Sequence, residues 1–171
     1  MPCCYDGLTA RLVENAGFEL TFMTGFGVSA TFGVPDAGLL GAQEMFQSAA
    51  TICNSLQNIP CIGDGDTGYG NPMNVKRTVM KYVQAGMAGI MIEDQVMPKR
   101  CGHTKGKQVV DRDEAYRRVK AACDARDEGS MHTHVMNICV ERIYYHLSTH
   151  ASTPKQISHV RIYRNYIKVL I

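Results

Sequence analysis

Asp64 and Asp66 are the first residues whose types and spacing could do chemistry. They stand two apart in Gly63-Asp64-Gly65-Asp66-Thr67-Gly68, directly after the short apolar run Ile59 to Ile62. Two carboxylates on such a turn can converge on one hard cation, and Mg²⁺ takes one or two carboxylates with water and substrate oxygens. The plain alternative is a solvated Asp-Gly turn in which both acids bond nearby amides. Glu93 and Asp94 end the next apolar run, Gly89 to Ile92, and place more negative charge at a strand end. Left unpaired, that charge would repel itself; a bound cation, or a salt bridge from Glu93 to Lys99 or Arg100, would relieve it. The stretch Pro98-Lys99-Arg100-Cys101-Gly102-His103-Thr104-Lys105-Gly106-Lys107 follows. It is a basic, glycine-containing loop around a thiol, suited to attracting anions and to closing over a site. A mobile basic surface loop with an incidental cysteine fits it equally. Thr24-Gly25-Phe26-Gly27 could offer backbone amides to a carboxylate, Asp36 lies in a turn, and Tyr5-Asp6 carries little signal alone.

The elements that must position these residues alternate. Leu8 to Ala16 reads as a helix stopped by Gly17, and Leu20 to Met23 as a strand. Gln43 to Leu56 has apolar residues at helical spacing. Asn71 can cap a helix from Pro72 to Ala85, with Gly86 as its stop. Asp111 opens a charged amphipathic helix reaching about Arg126. Strand, loop and helix in repeated order predict parallel βαβ units in an α/β fold, with the acids at the carboxyl ends of the strands. No strand of the expected character follows the last helix.

The chain has 171 residues, a net charge of +2 and 45% hydrophobic content. That balance gives no reason to expect a nucleic acid or an anionic membrane as partner. Its seven cysteines are odd in number and form no CxxC pair, which argues for reduced thiols rather than a disulfide framework or a zinc site. No apolar run approaches the roughly 20 residues of a membrane span. All 16 glycines lie in residues 1–129. Residues 130–171 have neither glycine nor aspartate but hold five of the six histidines. Two segments are therefore expected, 1–129 and an irregular 130–171.

Taken together, Asp64-Gly65-Asp66-Thr67-Gly68-Tyr69-Gly70, Lys99-Arg100-Cys101-Gly102-His103 after Glu93-Asp94-Gln95, Gly33-Val34-Pro35-Asp36 and Tyr5-Asp6-Gly7 resemble the isocitrate lyase and phosphoenolpyruvate mutase superfamily. The likeness is to its plant-type phosphorylmutase and 2-methylisocitrate-lyase-like branch. It covers about residues 2 to 129. It implies a partial (β/α)8 TIM barrel of about four strands, with 130–171 as a tail outside the family pattern. It also implies a Mg²⁺ cofactor, or Mn²⁺ in its place, held by Asp64, Asp66 and Glu93, directly or through water, with Asp36 and Tyr5 supporting. Thr24, Gly25 and Phe26 would bind a substrate carboxylate, Thr24 standing where serine is usual. Cys101 would be the acid/base, with Gly102 on the substrate and Lys99 and His103 tuning the loop. The mutases usually carry asparagine at the position of Cys101, so the resemblance favours a lyase.

The implied reaction is retro-aldol-like cleavage of a 2-hydroxy di- or tricarboxylate, with a phosphonate P–C mutase as the alternative. The implied partners are a small carboxylate substrate and, for full-length family members, further copies of themselves. The expected location is soluble and intracellular, cytoplasmic or organellar, and the resemblance admits a chloroplast. The family's later strands, with an arginine that grips substrate, find no counterpart after Gly129. The expectation is an impaired enzyme, or an inactive fragment that at most pairs with a full-length homologue.

Overall fold

The computed structural model describes residues 1–128 and the backbone of 134–138. Its elements run β1 (Cys3–Cys4), α1 (Gly7–Asn15), β2 (Thr21–Met23), α2 (Gly25–Thr31), α3 (Ala42–Ser55), β3 (Cys61–Asp64), α4 (Pro72–Gln84), β4 (Gly89–Glu93), α5 (Arg112–Glu128) and β5 (His134–Ile138). The strands form one sheet in sequence order, and every adjacent pair is parallel. Helices connect neighbouring strands, as a barrel's βα units require.

Local chemistry explains the helix starts. Asp6 caps α1, its Oδ1 accepting from Thr9 N at 2.7 Å while Thr9 Oγ1 accepts from Asp6 N at 3.2 Å. Asn71 caps α4 in the same reciprocal way with Asn74, and Pro72 occupies the first turn, where its missing N–H costs nothing. Gly86 ends the α4 region at φ +93°, a conformation that favours glycine.

The strand register separates two faces. Cys4, Met23, Gly63 and Ile90 align, so their side chains share one face with Cys61 and Ile92. That face meets the helices in a single core with Ala10, Val28, Ile52, Val79, Tyr82 and Ala122. Asp64 aligns with Met91, two residues before Glu93, so Asp64 and Glu93 project from the opposite face. Helices that cover one face and acids that crown the other are what a segment of a barrel wall requires. A sheet sandwiched between helices, the other source of short apolar strands, would bury both.

Three expectations are corrected. The strand read at Ile59 to Ile62 lies two residues later, so Asp64 is the last strand residue rather than a loop residue. Thr24 to Gly27, read only as a segment offering backbone amides, opens α2; two glycines mask the helix, and Gly27 is needed there because a Cβ would lie 2.7 Å from Tyr5 Cβ. The region after α5, read as lacking a strand, contains β5, whose backbone pairs with all five residues of β4 and completes hydrogen bonding along that edge. The remainder of 130–171 lies outside the described residues.

Tyr82 is fully buried, donates its hydroxyl to Asp64 O at 2.6 Å and packs edge-on against Phe46 with ring centroids 5.5 Å apart. Its ring lies directly over Gly63, where any Cβ would collide with it. Gly63→Ala should therefore destabilise the fold by about 1–3 kcal/mol, read from the urea unfolding midpoint. A midpoint shift below a few tenths of a kcal/mol would show that β3 is not fixed by this contact.

Candidate active site

The site is built where β3 and β4 end. Past the last strand residue the two chains stay laced together. Gly65 N donates to Met91 O at 2.8 Å and Glu93 N donates to Asp66 O at 2.7 Å. The chain then turns through Asp66 at φ +47°, Gly68 at +86° and Tyr69 at +60°. Two non-glycine residues in the left-handed region within four positions mark a backbone over-determined by its surroundings. Gly65 and Gly68 have no space for a side chain, since a Cβ would lie 2.8 Å from Met91 O in one case and 2.5 Å from Val75 Cγ2 in the other.

Asp64 and Asp66 are both buried. Asp64 Oδ1 accepts from Asp66 N at 3.0 Å, and its Oδ2 accepts from Gly25 N at 3.1 Å. Lys99 is only 4% exposed. Its ammonium lies 2.5 Å from Asp36 Oδ1 and is paired as well with Asp66 Oδ1. Glu93 Oε2 accepts from Gln95 Nε2 at 2.6 Å. Asp36, Asp64, Asp66 and Glu93 thus surround one lysine, four formal negative charges to one positive. Lys99 pairs with Asp36 and Asp66, and the salt bridge from Glu93 to Lys99 considered above does not form. Lys99 also sits inside the acid group rather than on the loop surface.

This arrangement perturbs the acids. Burial first, and then the Asp66 charge, push the Asp64 carboxyl up to about 7, although Lys99 opposes them. Burial raises Glu93 against the pull of Lys99 and Gln95. For Lys99, burial works against the charge, but Asp66, Asp64 and Asp36 outweigh it and hold the ammonium above its ordinary value. Among the described residues no three acids, histidines or cysteines converge as a ready-made shell of direct metal ligands. The donor set nevertheless fits a hard divalent ion bound by one or two carboxylates and otherwise by water. The buried Asp66 Oδ1 has only the Lys99 ammonium as partner, an ammonium it shares with Asp36, and the other acids leave surplus negative charge around it.

Cys101, Gly102 and His103 lie on the exposed loop outside that buried group. Cys101 Sγ is 3.7 Å from His103 Nδ1, so thiol and imidazole are neighbours. Lys107 Nζ donates to Gly102 O at 2.8 Å and to Thr104 O at 2.6 Å, which turns one of the loop's cations onto its own backbone. A Cβ at Gly102 would touch nothing within 4 Å.

Thr24, Tyr5 and Phe26 line a separate cavity of ≈ 440 Å³ that also touches Cys3 and Gly27. Tyr5 packs on Gly27. The Gly25 amide, expected to await a ligand, is taken by Asp64, and the Phe26 side chain is largely exposed. Sequence reasoning missed Tyr82, Gln95 and Arg118. Arg118 of α5 is buried and donates to Gln95 O at 2.9 Å and Glu93 O at 3.4 Å. The available signal was position, since Arg118 falls at helical spacing with the buried Ala115, Ala121, Ala122 and Ala125 of α5.

The raised Asp64 carboxyl sets a pH dependence. Between its ordinary value near 3.8 and about 7, the folded chain keeps a proton that the unfolded chain has released. The unfolded state binds fewer protons there, so the Asp64 contribution to stability falls as pH rises through that window and is level above it. Urea midpoints in chelator should therefore drop more steeply from pH 4.5 to 7.5 in the wild type than in Asp64→Asn, the window following from those two values. Equal slopes would contradict the assignment.

Known proteins are similar to this chain in sequence and in fold. Residues 1–164 match the family described as phosphoenolpyruvate phosphomutase. The chain is 47% identical over 126 residues to a chloroplastic carboxyvinyl-carboxyphosphonate phosphorylmutase of Arabidopsis thaliana, covering 73% of this chain and 37% of that protein. It is 46% identical over 126 residues to 2,3-dimethylmalate lyase of Eubacterium barkeri, covering 73% and 43%. The structure superposes on oxaloacetate acetylhydrolase, bound to 3,3-difluorooxalacetate, with a TM-score of 0.79 at 40% identity, over 81% of this chain and 48% of that one. It also superposes on phosphonopyruvate hydrolase, in complex with oxalate and Mg²⁺, with a TM-score of 0.71 at 32% identity, over 81% and 46%. The chain spans less than half the length of each of these proteins. Among the described residues no helix is long and apolar enough to cross a membrane. With its motifs in order, its parallel βα wall and its acids at the strand ends, the chain belongs to the phosphoenolpyruvate phosphomutase family.

Proposed function

We propose that this chain carries the metal-binding and acid/base portion of a lyase that cleaves a carbon–carbon bond in 2-hydroxy di- or tricarboxylates, of the 2-methylisocitrate or 2-alkylmalate kind, or that hydrolyses oxaloacetate. The observation that carries this reading is the group of four acids around buried Lys99, beside a loop that bears a thiol 3.7 Å from an imidazole. A cysteine in that loop favours a lyase over a mutase, because a thiol can deliver a proton to carbon.

Asp64, Asp66 and Glu93 would hold Mg²⁺, or Mn²⁺ in its place, directly or through water. The ion would supply Lewis-acid stabilisation of negative charge developing on substrate oxygens. The remaining work falls to the chain. Lys99 holds Asp36 and Asp66 in place and offsets their repulsion. Thr24, with the Phe26 backbone, would take a substrate carboxylate, while the Gly25 amide stays on Asp64. A carboxylate of the acid group would take the proton of the 2-hydroxyl; as the C–C bond breaks, that oxygen becomes the carbonyl of a departing 2-oxo acid and the bonding electron pair stays on the carbon next to a carboxylate. Cys101 Sγ gives its proton to that carbon, and His103 holds the thiol in orientation. Loop closure would keep water from the carbanion before the thiol reaches it.

The test is Mg²⁺-dependent release of a 2-oxo acid from 2-methylisocitrate or 2-alkylmalates, or of oxalate from oxaloacetate, by the full chain. Cys101→Ala should lower kcat by about a hundredfold or more, the range for losing a general acid, while leaving metal binding intact. Turnover that survives Cys101→Ala unchanged would overturn the role of the thiol. Absence of turnover with every substrate would overturn the lyase reading for this chain.

A further inference from the structure

The loop that bears Cys101 leaves and rejoins the sheet through one narrow neck. Gln95 and Val109 pair as an antiparallel bridge. Val96 N donates to Gln108 O at 2.8 Å, and Val110 N donates to Asp94 O at 2.9 Å. The Gln95 side chain plugs this neck and is 1% exposed. Its Oε1 accepts from Arg100 N at 3.0 Å and its Nε2 donates to Arg100 O at 2.8 Å. One amide therefore clasps both backbone polar groups of the residue before Cys101. The second N–H of the same Nε2 goes to Glu93 Oε2 at 2.6 Å. The Gln95 backbone is held from below, since its carbonyl accepts from Arg118, which Glu114 fixes at 2.5 Å.

A side chain that only filled the neck would spend its amide on loop backbone. This one divides its two N–H donors between the loop and an acid of the candidate metal site, and neither donor has a spare. When the Glu93 carboxylate moves, the amide must follow it or lose a charge-assisted bond, and Arg100 moves with the amide.

We propose that Gln95 is a positioning residue that couples the Glu93 carboxylate to the Cys101 loop, so that the state of the acid group sets how far the thiol is presented. The coupling deepens the lyase reading and rests on it for the meaning of Cys101, whereas the mechanics rest on the contacts of Gln95 alone.

The test is a double-mutant cycle on the full chain, read as the iodoacetamide labelling rate of Cys101 by peptide mass spectrometry. Exposed Cys3 serves as the control within each molecule. Gln95→Met keeps shape and removes both donors and the acceptor; it should speed Cys101 labelling about tenfold, the scale of a lost buried hydrogen-bond pair. Glu93→Ala should speed it several-fold in the wild-type background but by less than about twofold in Gln95→Met, because the link is already cut. Effects that multiply independently, or a Cys101 rate that neither substitution moves, would overturn the coupling. If Gln95→Met does not fold, Gln95→Asn, which keeps the amide and shortens its reach, runs the same cycle. Labelling needs no turnover. An inactive chain with non-additive rates would therefore sink the lyase reading alone, and an active chain with multiplying rates would sink only the coupling.

Discussion

The site depends on one buried cation. Lys99 lies in a pocket with Asp36, Asp66, Asp64 and Glu93, where removal from water makes charge expensive unless it is paired. The acids keep the ammonium charged, and the ammonium partly relieves the acids. The balance is incomplete, since burial and Asp66 still push Asp64 up to about 7. An incomplete balance is what a binding site for a divalent cation needs. A fully neutralised cluster would gain nothing from a further positive charge, and an uncompensated one would destabilise the fold.

The rest of the wall holds that cluster together. Asp64 reaches it on the last residue of β3 and Glu93 on the last residue of β4, and the lacing of Gly65 to Met91 and of Glu93 to Asp66 fixes their spacing. Tyr82 presses on β3 from the helical side, and Arg118 holds the chain just past β4 from α5. Tyr82 of α4 and Arg118 of α5 thus act through backbone carbonyls rather than through the carboxylates, whereas the first amide of α2 holds Asp64 directly. Substitutions there should be felt as misplacement of the acids before they are felt as loss of any contact to ligand.

Much of this was legible in the residues. The caps at Asn71 and Gly86, the helical spacing of 43–56 and the apolar runs before each acid placed the α/β wall and its active end. Local rules write those features, and a single sequence displays local rules. Membership of the family was legible too, because several short motifs fall in order. What escaped reading depends on partners distant in sequence. The Gly25 amide is spent on Asp64, 39 positions away, and Arg118 reaches back 23 positions to Gln95. The helix at Gly25–Thr31 hid behind its glycines, and β5 behind a composition unlike that of the earlier strands. Lys99 was counted with the loop's cations because a basic run hides which of its members turns inward.

The lysine-braced acid group should take one divalent ion. Titration calorimetry of the full chain with Mg²⁺ tests it directly. One saturable site is expected in the wild type, lost in Asp66→Asn, whose fold should survive. No saturable binding, or equal binding by Asp66→Asn, would contradict it.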